Sequence, residues 1–233
     1  MKVLIGIQAR SGSTRLPGKA FKLIAGRMLL DRVIDSCSQA MKFISGRNNA
    51  DAMVAVLTPH GDPIVREFGG RCEVFEGDEF DVLSRYVNAA KHYNADYVIR
   101  ITGDCPLSLA YVIEGAAKIG LRSHYDYVSN CDERFRTSID GLDCEFISTK
   151  LLNWAGDNAK AAYDREHVTP VIRRESPSWA NLGVIINHLD LSHIKLSVDT
   201  QEDYERACEA FSSALSKYQQ ALRSYGHGKV HRL

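Results

Sequence analysis

Behind an apolar run, Val3 to Ile7, the chain continues as QARSGSTRLPGKAF from Gln8 to Phe21. Arg10, Arg15 and Lys19 are interleaved there with Gly12, Ser13 and Gly18. Small residues let backbone N–H groups approach an anion. Arginine adds a forked pair of donors for phosphate oxygens, and lysine adds a point charge. The stretch therefore has the chemistry of a polyphosphate-binding loop. Two acids bear on the same question: Asp104 in TGDCP and Asp199 in VDT. Taken singly, an aspartate after a strand reads as a helix N-cap or a turn residue. Two of them beside a cationic loop would repel a polyphosphate at neutral pH unless a divalent cation lay between. Magnesium takes one or two carboxylates together with substrate phosphate oxygens. The combination reads as a site for a metal-bound nucleoside triphosphate.

Those residues need a scaffold that brings them together. Val3 to Ile7, Ala52 to Leu57, Cys72 to Phe75 and Asp96 to Thr102 are short apolar runs typical of strands buried on both faces. Between them, Leu30, Val33, Ile34, Cys37 and Met41 recur at helical spacing. Ile64 to Phe68, Phe80 to Tyr93 and Tyr111 to Leu121 also read as helices. Tyr125 to Ser129 reads as extended, Asp143 to Ile147 as a strand, and Ile194 to Val198 as a late strand before the acid-rich helix start DTQEDYERACEAF. This alternation predicts a single three-layer α/β/α domain over residues 1–233 with a mostly parallel sheet. Ligands bind outside the carboxyl ends of such strands. That rule puts Asp104 and Asp199 on one rim with Arg10, Arg15 and Lys19.

Composition removes several classes. Lys plus Arg and Asp plus Glu number 29 each, so no global field draws the chain to nucleic acid or an acidic membrane surface. No apolar run approaches the roughly 20 residues of a membrane span. The six cysteines form no CxxC pair, which argues against a zinc knuckle and for reduced thiols in a cytoplasmic protein. The phosphate loop is of neither common kind. A Walker A loop has four residues between its glycine and a Gly-Lys pair; here five separate Gly12 from Gly18, and Ala20 follows Lys19. No GxGxxG dinucleotide fingerprint follows the first strand.

The string QARSGSTRLPGK resembles the nucleotide loop of the sugar cytidylyltransferases, the group containing the CMP-Kdo and CMP-acylneuraminate synthetases. Within that group it resembles the branch named for spore coat polysaccharide biosynthesis protein F. DVLSRY (Asp81 to Tyr86), RITGDCPL (Arg100 to Leu107), GLDCEF (Gly141 to Phe146), REHVTP (Arg165 to Pro170) and SVDTQED (Ser197 to Asp203) extend the resemblance over most of the chain. It implies a Rossmann-like nucleotide-diphospho-sugar transferase fold of the glycosyltransferase A type. It also implies transfer of a nucleotidyl group from CTP to a sugar, with magnesium, for cell-surface polysaccharide synthesis. Arg10, Ser13, Arg15 and Lys19 would contact the triphosphate, with the backbone near Ala9 and Gly12. Thr58, Arg85 and Thr102 would line the nucleotide pocket, and Asp104 and Asp199 fall on the family's metal ligands. Lys19, Arg15 and Asp104 would carry the chemistry by positioning and charge stabilisation, without a nucleophilic Ser or Cys. A homodimer is implied as well, with Cys131 to Ser138 as its expected interface.

Other features leave alternatives open. Asp143 and Glu145 share one strand face at period two, turned either to an acceptor sugar or to solvent. His167 contributes either to acceptor binding or to a helix start. Cys105, beside Asp104, reads as packing. The ending YGHGKVHRL reads as a mobile tail, about 222–233. Two other readings keep the fold: GTP or another triphosphate used on a sugar phosphate, and a degenerate nucleotide-binding assembly or regulatory subunit. Retention of Arg10, Arg15, Lys19, Asp104 and Asp199 speaks against degeneracy.

Overall fold

The computed structural model describes residues 1–47, 50–213 and 229–233. At its centre lies β1 (Lys2–Gln8), paired in parallel with β4 (Asp51–Pro59) on one side and β6 (Tyr97–Thr102) on the other. Val3, Ile5 and Ile7 face one core and Leu4 the opposite one, all without solvent exposure. A strand apolar on both faces is stable only between two covering layers, and helices supply them. On the first face lie α1 (Leu29–Arg47) and α4 (Ala110–Arg122). On the second lie α3 (Val82–His92), α5 (Thr149–Asn158) and α7 (Pro170–Glu175). The α1 stripe Leu30, Val33, Ile34, Cys37, Ala40 and Ile44 is buried, and its three-to-four-residue spacing is what puts it on one side of the helix.

The sheet is completed by β5 (Glu73–Gly77), β7 (Tyr127–Ser129), β8 (Glu145–Ser148), β9 (Leu182–Ile186) and β10 (Lys229–Arg232). Its spatial order is β10-β9-β7-β8-β6-β1-β4-β5. Pairing makes β5, β4, β1, β6, β7 and β9 run one way and only β8 and β10 the other. The layout is therefore three-layer α/β/α with a mostly parallel sheet. A separate hairpin, β2 (Leu23–Ile24) with β3 (Arg27–Met28), follows the cationic loop. The chain runs outward from β1 through β4 to β5 and then returns to β6 on β1's other side. Between β1 and β6 is thus the switch point where α/β sheets open a crevice.

Two expectations are corrected. Ile194 to Val198 forms no strand; its sole ladder contact is an isolated bridge, Asp140 to Lys195. Its N–H groups are met instead by loop carbonyls: those of Leu196 and Ser197 donate to the Asp140 oxygen at 2.7 and 3.2 Å, and that of Val198 to Asp104 at 2.9 Å. The segment is held by a small satellite core of Ile139, Leu142 and Leu196. The basic ending is not a free tail over residues 229–232, where β10 pairs antiparallel with β9 from Lys229–Ile186 to Arg232–Gly183. The rest of the expected tail, 222–228, lies outside the described residues.

Gly141 makes the satellite core possible. It has φ +110°, and a Cβ there would lie 2.7 Å from the Ser197 nitrogen. Gly141→Ala should therefore push the 195–199 segment, and Asp199 with it, away from the sheet. A left-handed backbone at a non-glycine residue costs about 1–3 kcal/mol before the clash is counted. We expect a melting temperature several degrees lower, and activity reduced further than the unfolded fraction explains. A variant with wild-type melting and turnover would show that the segment does not depend on this approach.

Candidate active site

A cavity of about 200 Å³ opens at the carboxyl edge of β1 and β6. One wall is the loop after β1. It folds on itself through Ser13 and Gly18 N–H donations to the Ser11 carbonyl, 3.0 and 3.2 Å, with Leu16 buried beneath. Asp62, which the sequence reading did not single out, fastens it: one carboxylate oxygen accepts from the Ser11 N–H at 2.8 Å, the other from Ile64 N–H at 2.9 Å. The second wall follows β6. Gly103 donates its N–H to the Gln8 carbonyl at 2.8 Å, and a Cβ on it would lie 2.8 Å from that of Ala9. Only glycine lets the two loops close together and set Asp104 against the cationic loop.

Lys19 is the centre of the site. Its Nζ donates to Asp104 Oδ2 at 3.0 Å, to the Val198 carbonyl at 2.8 Å and to Asp199 Oδ1 at 3.3 Å. Residues 85 and 180 positions away in sequence thus converge on one ammonium. Arg15 adds an ion pair to Asp199 Oδ1 at 3.0 Å, and Lys195 approaches Oδ2 at 3.4 Å. Burial pushes the Asp104 carboxyl upward, but the Lys19 charge and hydrogen bond outweigh it and hold the carboxyl below its usual range. Asp203 fixes the turn that carries Asp199, accepting from the N–H groups of Asp199 and Thr200, each at 3.1 Å, and pairing with Lys195 at 2.7 Å. Lys195 was not anticipated, because it lies in the segment read as a strand.

Of the expected nucleotide contacts, Ala9, Arg10, Ser13, Arg15, Lys19, Arg85 and Thr102 line the cavity; Gly12 and Thr58 do not. Gly12 is exposed at the loop tip. Thr58 is fully buried, with its hydroxyl unpartnered among the described residues. Arg85 works as a buried brace. Nε donates to the Asp78 carbonyl at 3.0 Å, Nη2 to Glu79 at 3.1 Å and Nη1 to Leu57 at 3.2 Å. It so holds the loop that puts Glu79 and the exposed Phe80 on the cavity rim. Neither rim residue had a sequence signal beyond its place after a strand.

His167 reaches the cavity together with Glu166. Two motifs meet to bring it there: Arg165, in α6 (Ala162–His167), donates through Nε to both Asp81 oxygens at 2.9 Å, and Asp81 caps α3 by accepting from Ser84 N–H at 2.9 Å. Asp143 and Glu145 do not line the cavity. Asp143 lies before β8, pairs with Arg136, and is pushed up to about 6 by burial against that cation's opposing pull. Glu145 faces the interior, not solvent: its side chain is 1% exposed and pairs with Arg100 at 2.6 Å across the β6–β8 register. Tyr127 donates to its other oxygen, and Arg100 Nε donates onward to Gln8 Oε1 at 3.0 Å. Cys105 is buried, and burial raises its thiol well above the ordinary value, as suits packing.

The donor set suits a hard divalent cation. Asp104 and Asp199 already hold one cationic group between them, as two carboxylates would hold magnesium beside phosphate oxygens. Among the described residues no three His, Cys, Asp or Glu side chains converge on a point, which leaves the remaining ligands to substrate and water.

The chain matches the cytidylyltransferase family model over residues 4–226. It belongs to the cytidylyltransferase family. As a cytidylyltransferase it is a nucleotidyl-transferring enzyme, and of the motifs that carried the resemblance all but GLDCEF contribute residues to the cavity lining. It is 28% identical over 211 residues to the spore coat polysaccharide biosynthesis protein SpsF of Bacillus subtilis, covering 87% of this chain and 83% of that one. A solved cytidylyltransferase from Leptospira borgpetersenii superposes with TM-score 0.79 at 29% identity and 99% coverage of both chains. A CMP:2-keto-3-deoxy-manno-octonic acid synthetase solved with CTP gives TM-score 0.66 at 16% identity, over 92% of this cytidylyltransferase and all of that chain, and so shares the fold. No described helix is long and apolar enough to cross a membrane.

Proposed function

We propose that this cytidylyltransferase joins CTP to an acidic sugar, yielding the CMP-sugar and pyrophosphate, in the cytoplasm and for surface polysaccharide synthesis. The observation that carries the reading is the convergence of Asp104 and Asp199 on Lys19 inside a cavity walled by Arg10, Arg15 and Arg85. In the reaction an acceptor hydroxyl oxygen bonds to the α-phosphorus, the bond to the β-phosphate oxygen breaks, and the hydroxyl proton passes to solvent. Arg10, Ser13 and the loop backbone hold the triphosphate. Lys19 and Arg15 stand where charge grows on the departing pyrophosphate. Magnesium, held by Asp104 and Asp199, would neutralise phosphate charge and lower its repulsion of the incoming oxygen. The relatives' names, a polysaccharide biosynthesis protein and a CMP-sugar synthetase, support the substrate class. Six free thiols suit the reducing cytoplasm.

A thermal-shift panel of the four nucleoside triphosphates with magnesium tests the reading. CTP should raise the melting temperature most, since stabilisation grows with concentration over dissociation constant. A larger shift with GTP would replace the cytidylyl reading by transfer to a sugar phosphate from another triphosphate. Binding of CTP without pyrophosphate release on any sugar would favour an assembly subunit. We further propose that the enzyme is a homodimer through the region of Cys131 to Ser138, where Phe135 is 40% exposed. Light scattering at micromolar concentration should return twice the 26.0 kDa chain mass. The monomer mass would remove the dimer.

A further inference from the structure

A second cavity, about 260 Å³, lies beyond α6 and is lined by Arg134, Tyr163, Arg173 and Arg174 among others. Its cations are matched by acids in number, but not each by direct contact. Arg134 is paired with Asp132 through contacts of 2.7 and 3.0 Å, and Arg174 with Asp164 through 2.8 and 3.2 Å; both aspartates are buried. Glu133 stands exposed among the lining residues. Arg173 differs: among the described residues it has no carboxylate within ion-pair distance, and its side chain donates a single hydrogen bond, Nη2 to Thr169 Oγ1 at 3.1 Å. A guanidinium carries five donors. Most of this half-buried one's N–H groups are unused. Glu145 and Asp132 favour its charge from beyond ion-pair distance, but they do not take up its spare donors, which remain available to an oxyanion.

The cavity is also wired to the nucleotide site. Thr169 and Arg173 both favour the ionised Glu145 carboxylate, Glu145 pairs with Arg100, and Arg100 donates to Gln8, which lines the first cavity. The junction between the two cavities is strained. Val168, buried and β-branched, has φ +71° and ψ −54°, and Thr169 N–H donates back to the His167 carbonyl at 2.8 Å. This is the rare hand of the γ-turn. Such outliers persist where the surroundings over-determine them, often at ligand sites. Here the turn leaves His167 on the nucleotide cavity, while Thr169 and Arg173 belong to the other side. Tyr163, on the second cavity, packs its ring 4.4 Å from that of His167.

We propose that this second cavity binds an oxyanion, the charged group of the acceptor, with Arg173 as the principal donor, Thr169 as its positioning residue and Tyr163 flanking the path to His167. The proposal rests on the nucleotidyl-transfer reading for the word acceptor. A forked guanidinium suits carboxylate and phosphate alike. An acidic sugar and a sugar phosphate are therefore the two sources to separate.

The test is nuclear magnetic resonance of the Arg173 side-chain Nε–Hε signal, assigned with Arg173→Met, in titrations with acetate and with inorganic phosphate. A saturable shift is expected at concentrations on the order of 10 mM. Stronger response to acetate identifies a carboxylate acceptor, and stronger response to phosphate a phosphorylated one. Thr169→Val should weaken the anion about tenfold, and Arg173→Lys should restore only part of what Arg173→Met removes. CTP affinity by calorimetry should stay unchanged in both Arg173 variants. No saturable shift with either anion overturns the proposal, as does loss of CTP binding in Arg173→Met. Anion binding by a wild-type chain that fails to bind CTP would leave this site standing and remove the nucleotidyl reading.

Discussion

Lys19→Met should lower turnover by more than about a hundredfold while the chain stays folded. The ammonium touches both Asp104 and Asp199, and it lies against the loop expected to carry the triphosphate. An interaction that strengthens as charge develops on the leaving pyrophosphate acts on the rate constant, and losing one such contact costs roughly 3 kcal/mol. Asp104→Asn and Asp199→Asn should fall by a similar factor, and the deficit should shrink little with added magnesium. Arg10→Ala should behave differently. Arg10 lines the cavity with no hydrogen bond or ion pair among the described residues, so it is available to anchor the ground-state nucleotide. Its removal should chiefly raise the Michaelis constant for CTP. Pyrophosphate release measured against CTP concentration separates these behaviours. Unchanged kinetics across the four variants would eliminate the triphosphate site.

Arg100→Met should destabilise the fold by about 3–5 kcal/mol, the largest stability effect we expect from one substitution. Burial works against the Arg100 charge, and the Glu145 carboxylate outweighs it; the same pairing keeps Glu145 below the usual carboxylate range despite its own burial. Removing the arginine leaves Glu145, with 1% side-chain exposure, without its paired cation and with Arg173 acting from further off. The double variant Arg100→Met, Glu145→Gln should recover much of the loss, since a buried pair replaced as a unit often costs little. Urea denaturation measures both. A single variant costing under about 1 kcal/mol, or a double variant no better than the single, would show that the pair is not coupled as described.

The relation between the two arginines explains why some of the site was legible in sequence and some was not. Arg100 and Arg173 look alike in a chain with a balanced 29 of each charge sign. One is paired through strand register and the other is left with a single hydrogen bond, and only the folded geometry separates them. The acids show the same limit. A period-two pattern put Asp143 and Glu145 on one strand face, but β8 begins at Glu145, and Asp143, before it, pairs with Arg136 instead; nor could the pattern say how the strand's faces would be covered. That was decided by the helices packed on β8, α4 on one face of the sheet and α5 on the other.

By itself the sequence determined the layers, the direction of the central strands and the rim that carries the cationic loop and Asp104; Asp199 was assigned to that rim through a late strand that does not form. Apolar periodicity and turn chemistry are local, and burial on two faces forces the three-layer arrangement. Motif spacing likewise marked the loop as an anion cradle. Tertiary structure alone decided that Lys19 sits between the two aspartates, that Leu196 to Val198 hang from loop carbonyls and Asp199 from the Asp203 carboxylate rather than from a strand, and that the final basic residues close the sheet edge as β10. Each depends on contacts between segments far apart in the chain, 85 to 180 residues for Lys19. Such contacts are selected by the summed packing of the whole domain and leave no periodic trace in either partner.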